Sequence, residues 1–563
     1  MADDEIGGPD HNELVIALVA AVGTDVGMIA DEVAIELSEY GYESIRLRLS
    51  DYLAEEAGAD FFKAKKFDEA LWDAMSAGDE LRDKWRRGDA LALHAISDIV
   101  ATRNELNTIG NERAAGDKTE APSLPATELA PPLHRVAFIV RSLKTQDELN
   151  TLRAVYGPRL VVIAAYSAKE ERIKHLAARI EASRGTKNRK RWVRQPEELV
   201  ERDEKEEQRR GQDVSGTFHR ADFFVRGWDP TVARADLQRA LEILFGSPFR
   251  TPTRDEHGMH LAAGAALRSA EFGRQVGAAV AAKDGAIISV GTNEVPVAGG
   301  GSHWEEDGGG NRNFEIGDTD TNRQEYDDLA GKLAARIDRR VSDLIEGSGD
   351  RGEEAMTALR SLREELRDAL PAELRAGGLK DLTEFGRAVH AEMSALLEAA
   401  RRGVAVQDAT LYCTTFPCHN CARHLIGAGI GRIVFVEPYT KSRAEQLHAD
   451  SITIGQAERE DGKVAFEPFV GVAPRRYREM FDAAGREELG LVKRKDDAGR
   501  REPFDKCAAL PVFSDGGLGP FRPEAREYRA KELLALEHFG RHREQQRSVR
   551  GPEDAMDNPT VEE

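Results

Sequence analysis

Residues 387–421 read RAVHAEMSALLEAARRGVAVQDATLYCTTFPCHNC, and this stretch decides the fold of the half of the chain that contains it. Apolar residues recur at helical spacing after His390 until Gly403 ends the pattern. A strand, ATLYCTT, comes next, and Cys418 and Cys421 open a second helix. The pattern predicts a helix–strand–helix unit of an α/β fold with chemically active side chains at the start of both helices.

The C-x-x-C spacing of Cys418 and Cys421 serves three different chemistries. It occurs in redox dithiols, in structural zinc sites and in catalytic metal sites. A closed structural zinc site would need a fourth ligand such as His419, Cys413 or Cys507. The spacing alone leaves these alternatives open.

The residues upstream of the cysteines favour a catalytic zinc site. If adjacent parallel strands bring the starts of their following helices together, His390 meets Cys418 and Cys421, whose i, i+3 spacing puts both sulfurs on one helix face. Three protein ligands leave the fourth position of a tetrahedral zinc ion open. Glu392 is then placed to move a proton between the attacking water and the leaving amine. H-x-E followed by P-C-x-x-C is the signature of zinc-dependent nucleobase deaminases. His419 lies between the two cysteines on a different helix face, so it is not the expected third ligand.

Composition bounds the class of protein. The chain has 563 residues, which predicts two or three domains, and a formal net charge of -21, which disfavours extensive coating of nucleic acid. It has 4 cysteines, 3 of them within residues 413–421, which fits a local metal or redox site in a reducing cytoplasm. The sequence shows no signal peptide and no membrane span. We therefore expect a cytoplasmic protein.

The pattern of strands and helices predicts a parallel α/β domain over residues 1–248. Near-continuous apolar runs at 13–22, 135–140, 159–167 and 221–225 indicate buried strands with helical segments between them. A zinc-dependent domain is predicted over 249–480, with an insert at 298–380 and a five-stranded mixed sheet. Residues 481–563 form a C-terminal extension whose polar tail, from about 545, is predicted to be disordered.

Two segments of the first domain are candidates for ligand binding. Residues 183–213 carry a basic block followed by mixed charge, which fits either a solvated helical excursion or a lid over a phosphate site. The turn VGTDVGMI (22–29) resembles a phosphate loop, G-x-x-x-x-G-K-[ST], with Gly23, Thr24 and Gly27 as its remaining elements. Val22 replaces the first glycine and Met28 the lysine, so we predict no efficient kinase activity.

Residues 251–297, together with HAE (390–392), TTFPCHNCARHLI (414–426) and VEPYTKS (436–442), resemble deoxycytidylate deaminases. They are most similar to the two-domain bacterial members implicated in anti-phage defence, which carry a P-loop-kinase-like N-terminal domain. The resemblance implies a P-loop NTPase-like domain followed by a cytidine-deaminase-like α/β/α domain, Zn²⁺ as cofactor, and a homo-oligomer. It also implies that free dCMP and dCTP are converted to the uracil forms, which depletes dCTP during infection. An inhibitory small RNA and an allosteric nucleotide are implied partners, and residues 184–194 are where RNA contacts would be sought.

The same resemblance carries over individual site residues. Asn293 matches the asparagine that contacts the sugar and base, and the backbone around Ala391 would meet the base edge. Arg274 is a candidate phosphate contact, and Tyr439 and Lys441 are weaker ones, Lys441 also fitting an ordinary surface position. Two further functions stay open: an enzyme that edits DNA or RNA, and a nucleotide- or RNA-binding regulator whose deaminase fold is inactive.

Overall fold

The computed structural model forms two compact units, one made of Met1–Glu256 with Pro468–Glu563 and the other of His257–Glu467. The structure describes residues 12–57, 65–115, 130–205, 214–317, 321–347, 353–377, 385–439, 442–455, 462–482, 494–495, 498–509, 511 and 525–549. Each unit is built on one six-stranded sheet. The chain is therefore a mixed α/β protein, as the sequence predicts.

The first unit has a largely parallel sheet in the order β12-β5-β4-β1-β3-β2. Its strands are β1 (Leu14–Val19), β2 (Glu43–Arg48), β3 (Val136–Leu143), β4 (Leu160–Tyr166), β5 (Phe223–Arg226) and the short β12 (Gly471–Val472), which pairs antiparallel with β5. Every residue of β1 is buried, because this central strand has helices on both sides of it. The four apolar runs predicted as buried strands in this unit are strands β1, β3, β4 and β5.

Helices cover this sheet and extend it. They are α1 (Val26–Ser38), α2 (Leu49–Ala57), α3 (Phe67–Trp85), α4 (Ala90–Ala115), α5 (Gln146–Tyr156), α6 (Lys169–Arg184), α7 (Pro196–Lys205), α8 (Val214–Phe218), α9 (Pro230–Leu244), α17 (Tyr477–Phe481) and α18 (Ala525–Val549). Helix α1 packs beside α9, and α18 packs on α4 and α5. Helix α18 continues to Val549, past the predicted start of the tail at 545, and residues 550–563 lie outside the described part of the chain.

The units divide at 256/257 and 467/468, whereas the sequence predicts limits at 248/249 and 480/481. The difference arises because the chain returns to the first sheet after residue 468. Glu256 fixes this return: its carboxylate accepts a hydrogen bond from the Val472 amide at 3.0 Å and forms an ion pair with Arg239. A sequence pattern cannot reveal such a long-range pairing of a two-residue strand.

The second unit has a mixed sheet in the order β10-β11-β9-β8-β6-β7. Its strands are β6 (Gly277–Ala281), β7 (Ile287–Thr292), β8 (Thr410–Thr415), β9 (Arg432–Glu437), β10 (Ile452–Ile454) and β11 (Val464–Pro468). The prediction of five strands is wrong, since the sheet has six and β10 is only three residues long. The predicted neighbourhood of two parallel strands is also wrong, because the antiparallel β6 lies between β7 and β8.

The helices of the second unit are α10 (Arg254–Ala266, which begins just before the unit boundary), α11 (Asn313–Ile316), α12 (Thr321–Glu346), α13 (Glu353–Ala376), α14 (Ala391–Arg401), α15 (His419–Gly427) and α16 (Ala444–Leu447). Most of the predicted insert, 298–380, is the helical pair α12 and α13. The ion pairs Arg363–Asp338 and Arg375–Asp327 join these two helices and show that they run antiparallel. Short 3-10 turns lie at Gly157–Arg159, Arg189–Arg191, Glu305–Asp307 and Pro474–Arg476.

Candidate metal centre and active site

Three side chains of the second unit converge on one point. His390 Nδ1 lies 3.4 Å from the Cys418 Sγ and 3.4 Å from the Cys421 Sγ. All three donor atoms lie within 4.8 Å of one another. Zinc–sulfur bonds of about 2.3 Å and a zinc–nitrogen bond of about 2.0–2.1 Å at tetrahedral angles would separate nitrogen from sulfur by about 3.6 Å. The donor set and its spacing therefore fit a zinc ion with one open coordination position.

Local backbone structure places the two cysteines. Cys418 is the N-cap of α15, and its Sγ accepts a hydrogen bond from the Cys421 amide at 3.5 Å. Pro417 precedes the cap, and the Ser442 hydroxyl donates to its carbonyl at 2.8 Å, which holds the turn in place. Cys421 lies one turn into the helix, so both sulfurs lie on the same side of its first turn.

His390 is held at the corresponding position of the neighbouring helix. It is the N-cap of α14, and its side chain makes no capping hydrogen bond, which leaves Nδ1 directed at the two sulfurs. The preceding residue, Val389, forms a two-way bridge with Glu294, just beyond the end of β7. Strands β7 and β8 run in the same direction on either side of β6, so α14 and α15 still begin at the same edge of the sheet.

A glycine in β7 allows α14 to approach the sheet closely. A Cβ atom on Gly291 would lie 2.3 Å from the Ala391 carbonyl oxygen and 2.3 Å from the Ala395 amide nitrogen. Only glycine leaves room for this contact between backbones, because atoms of a neighbouring backbone cannot move aside as a side chain can. Gly291 therefore sets the position of the turn that carries His390 and Glu392.

Glu392 lies in the first turn of α14 and is buried, with 4% of its surface exposed. Burial raises the pKa of this carboxyl group, and the nearby His390 lowers it to a smaller extent. The carboxylate also hydrogen-bonds the Cys421 thiol. A carboxyl group with a raised pKa beside an open metal position is suited to accept a proton and to return it.

The charges of the metal ligands are coupled. A hydrogen bond with Cys418 raises the pKa of His390 to about 9. Hydrogen bonds from Cys421 and His390 lower the pKa of Cys418 to about 4, whereas the shared proton and burial raise the pKa of Cys421. In the metal-free protein, one thiolate is thus stabilised by its neighbours, and metal binding would displace the remaining protons.

The other residues considered as structural zinc ligands do not join this cluster in the described part of the chain. Cys413 is buried within β8, and burial raises the pKa of its thiol. Cys507 is exposed in the first unit, where its Sγ lies 3.6 Å from the Glu39 carbonyl oxygen. Within the described residues, the cluster therefore has three protein ligands and no fourth.

The predicted substrate residues lie near this centre but have protein partners. The Asn293 amide group donates to the Arg274 carbonyl at 2.8 Å and accepts from the Val276 amide at 2.7 Å. Arg274 is 58% exposed, and its Nη1 lies 2.7 Å from the Glu437 Oε1 at the end of β9. Asn293 shapes the loop 274–276 through these bonds, and a phosphate group at Arg274 would compete with Glu437.

Ala391 is fully buried, and Tyr439 is half-buried after β9. Lys441 lies outside the described residues. Sequence reasoning missed Asn313, which is buried at the start of α11 in the insert and hydrogen-bonds Glu271. The charge of Glu271 reaches His390 and raises its pKa.

Of the predicted phosphate-loop residues, Gly23 and Thr24 lie between β1 and α1, and Gly27 lies in the first turn of α1. Gly23 has φ +93°, and a Cβ atom there would lie 2.7 Å from Arg172 Cβ, so the turn requires glycine. In the described part of the basic segment, residues 187–191 are exposed, whereas basic residues on either side of them have partners. Arg184 pairs with Asp68, and the Arg194 guanidinium lies 3.9 Å from the centre of the Trp72 ring.

Comparisons with known proteins agree with the site. Residues 252–437 match the family model described as "Cytidine and deoxycytidylate deaminase zinc-binding region". The chain is 42% identical to the deoxycytidylate deaminase of Enterobacteria phage T4 over 55 residues, which is 10% of this chain and 28% of the phage protein. It is 31% identical to ComE operon protein 2 of Bacillus subtilis (strain 168) over 122 residues, which is 21% of this chain and 56% of that protein.

Among solved structures, the dCMP deaminase of cyanophage S-TIM5 in complex with dCMP and dUMP aligns with 39% of this chain and 100% of its own, at 16% identity and a TM-score of 0.20. The chain spans 28% and 56% of the length of the two curated relatives.

The site has the donor set of a zinc centre, and His390, Cys418 and Cys421 are the residues that can hold the metal. More particularly, residues 252–437 are similar to the zinc-binding region of cytidine and deoxycytidylate deaminases. Among the helices that the structure describes, none is both long and apolar enough to cross a membrane.

Proposed function

We propose that this protein hydrolyses the 4-amino group of free deoxycytidine nucleotides, dCMP or dCTP, to give dUMP or dUTP and ammonia. The observation that carries the proposal is the buried Glu392 beside a three-ligand cluster that leaves a fourth zinc position open. The similarity of residues 252–437 to cytidine and deoxycytidylate deaminases supports the substrate class.

His390, Cys418 and Cys421 would hold the zinc ion. When bound, zinc acts as a Lewis acid that lowers the pKa of water to about 7. Glu392 would accept one proton from the attacking water and deliver it to the ring nitrogen N3, and would then carry the second proton of that water from the new C4 hydroxyl group to the amino group. The C4–N bond breaks as ammonia leaves, so that one oxygen replaces one nitrogen at C4. Burial excludes bulk water from Glu392 and raises its pKa, which lets the carboxyl group hold the proton between these two steps.

Recognition of the nucleotide is assigned to the loop between β9 and α16 and to the segment around Arg274. Arg274 would exchange its partner Glu437 for a phosphate oxygen. Tyr439 follows shortly after Glu437, the last residue of β9. Asn293, which hydrogen-bonds the Arg274 carbonyl, would contact the sugar and base of the nucleotide. The backbone around Ala391 would contact the edge of the base.

The first unit is proposed to regulate this activity, through a nucleotide or a small RNA, in anti-phage defence by depletion of dCTP. The support for this role is the resemblance to two-domain deaminases with such a first domain, which is good over residues 250–475 and rests on architecture and a looser motif in the N-terminal half. Assembly into a homo-oligomer and a cytoplasmic location belong to the same proposal.

The decisive experiment replaces Glu392 with glutamine, which keeps the side-chain volume but removes the proton carrier. We expect formation of dUMP and dUTP to fall by about 10²–10⁴-fold, while metal analysis still finds one zinc per chain. Glu398→Gln is the matched control, because Glu398 lies on the same helix, is paired with Arg401 and Arg402, and should leave turnover unchanged.

Unchanged turnover in the Glu392→Gln variant would contradict the mechanism. The wild-type protein should be assayed with dCMP, dCTP and cytosine-containing single-stranded DNA and RNA. Activity on the single strands alone would indicate an editing enzyme, and bound zinc without activity on any of these substrates would indicate an inactive regulator.

A further inference from the structure

A cavity lies at the carboxyl edge of the sheet in the first unit. Its volume is about 470 Å³, and it is lined by residues that follow β1, β4 and β5, among them Asp25, Ser167 and Trp228. Strands β1 and β4 are neighbours, and the chain leaves them in opposite directions, towards β2 and towards β5. Open parallel sheets bind ligands at such a switch point, and cavities of about 300–1,000 Å³ suit small molecules.

Three buried polar atoms in or beside this cavity have no hydrogen-bond partner among the described residues. Ser167 lines the cavity and is only 6% exposed, yet its Oγ is unpaired, and so is the Oγ1 of Thr24, which is 9% exposed. A Cβ atom on Gly227 would lie 3.2 Å from the Ser167 Oγ and 2.9 Å from the Thr24 Cγ2, so glycine allows the loop after β5 to reach both residues. His175 Nε2, on the other wall, is also buried and unpaired. Buried polar atoms nearly always have partners, so this group points to a ligand that supplies them.

Three amides of the loop at one end of the cavity already have hydrogen-bond partners within the loop. The Thr24 amide donates to the Ala21 carbonyl at 3.1 Å, and the Val26 amide donates to the Thr24 carbonyl at 2.9 Å. The Met28 amide donates to Asp25 Oδ1 at 3.0 Å, so a carboxylate occupies the start of α1. A helix N-terminus holds phosphate through free amides of this kind. Here, a phosphate group would have to displace Asp25 and would meet its negative charge.

The remaining lining is close to neutral. Lys174 Nζ lies 2.6 Å from Glu171 Oε1, so these two charges cancel. Burial lowers the pKa of His175, and the nearby Asp25 raises it to a smaller extent, so the surroundings favour the neutral imidazole. Asp25 leaves one negative charge, while Met28 and Trp228 provide apolar and aromatic surface. A flat ring can pack on such surface, and its amino or hydroxyl groups can pair with the orphaned polar atoms.

We propose that this cavity binds an uncharged molecule of nucleoside size, a heteroaromatic ring with amino or hydroxyl substituents and without a phosphate group. Its hydroxyl or ring-nitrogen atoms pair with Ser167 and His175, and Asp25 accepts from an amino or hydroxyl group of the ligand. The site lies in the first unit and does not depend on the proposed deaminase activity.

The test measures ligand binding by isothermal titration calorimetry. The protein is the full-length chain carrying Glu392→Gln, so that turnover of a substrate adds no heat. The probes are adenosine, guanosine, cytidine and uridine, their 5′-triphosphates, and inorganic phosphate. We expect at least one nucleoside to bind, with Ser167→Ala weakening that binding by about tenfold because a buried hydroxyl partner is lost. Ser38→Ala is the matched control, since Ser38 is exposed at the far end of α1 and bonds only its own helix.

Trp228→Ala provides a second variant, and circular dichroism checks that each variant is folded. The proposal is supported if a nucleoside binds and Ser167→Ala or Trp228→Ala weakens that binding, while neither the triphosphate nor inorganic phosphate binds at the same site. The proposal is overturned if no nucleoside binds at millimolar concentration, or if binding is unaffected by both variants. It is equally overturned if triphosphate binds more tightly than the nucleoside and both variants abolish that binding, because the site would then be a phosphate site.

Discussion

Replacement of Arg103 by methionine should strongly destabilise the first unit. Arg103 is fully buried in α4 and makes four hydrogen bonds of 2.7–3.0 Å, two to Glu13 just before β1 and two to Glu532 in α18. Both carboxylates are buried as well, so the cluster carries one positive and two negative charges. Burial raises the pKa of Glu532, and Arg103 lowers it to a smaller extent. Glu13 raises it as well, since the two carboxylates share one guanidinium group. Without Arg103, two negative charges would stay buried with no countercharge.

Breaking a buried ion pair by removal of one partner costs about 3–5 kcal/mol, and we expect Arg103→Met to lower the unfolding free energy of this unit by that amount. Glu532→Gln leaves the Arg103–Glu13 pair intact and leaves no buried charge without a countercharge, so it should cost less than Arg103→Met. Arg401→Met is the exposed control, with an expected change within about 0.5 kcal/mol.

Hydrogen exchange with mass spectrometry is the suitable assay, because it reports the two units separately. Peptides from α4 and α18 should lose protection in Arg103→Met by the stated free energy, while peptides from β8 and α14 should keep theirs. A loss below about 1 kcal/mol, or an equal loss in Glu532→Gln, would refute the assignment of the cluster as a charge-compensated link between α4, β1 and α18.

Three further outcomes follow from the described contacts. Gly291→Ala should reduce deaminase turnover and zinc content, because its Cβ would strike the Ala391 carbonyl at 2.3 Å, whereas Gly427→Ala, with open space around it, should leave both unchanged. Chelation of zinc should abolish turnover, and added zinc should restore it; activity that survives complete metal removal, measured by metal analysis, would contradict the site. Asp89 is desolvated, but hydrogen bonds from Arg87 and Thr151 outweigh this and lower its pKa. The stabilising effect of Asp89 should be present above pH ~4 and lost as pH falls further. The difference in unfolding free energy between the wild type and Asp89→Asn, measured in urea, should therefore vanish at low pH. A difference that persisted there would argue against the pairing.

Local patterns predicted local structure well. The buried strand, glycine turn and helix at the start of the chain are present as β1, the turn at Gly23 and α1. The convergence of His390 with Cys418 and Cys421 was also predictable, because helix starts at one edge of a sheet meet even when an intervening strand separates their parent strands. Because zinc accepts few kinds of ligand in few geometries, the residue types and their spacing were enough to predict the metal ligands, even though the predicted strand order was wrong.

Long-range pairings were beyond the reach of the sequence. Strand β12 has two residues and β10 has three, too few to show alternation. Asn293 shows a second limit of prediction from sequence, because a side-chain amide can hydrogen-bond a substrate or the protein backbone equally well. In the structure it ties together residues 274–276, and only the geometry could reveal this.

The two loops that resemble known motifs differ in what their groups are free to do. At the metal centre, the His390 ring makes no cap hydrogen bond and the cysteine sulfurs face it, so the donor atoms remain directed at a shared point. At the turn after β1, Asp25 takes the Met28 amide, and the backbone takes the amides of Thr24 and Val26. Asp25 and backbone carbonyls therefore occupy amides that a phosphate group would otherwise use, and Met28 stands where a phosphate loop has its lysine. The cavity beside this turn has buried hydroxyl groups without a partner among the described residues. Both observations fit the proposed uncharged ligand better than a phosphate group.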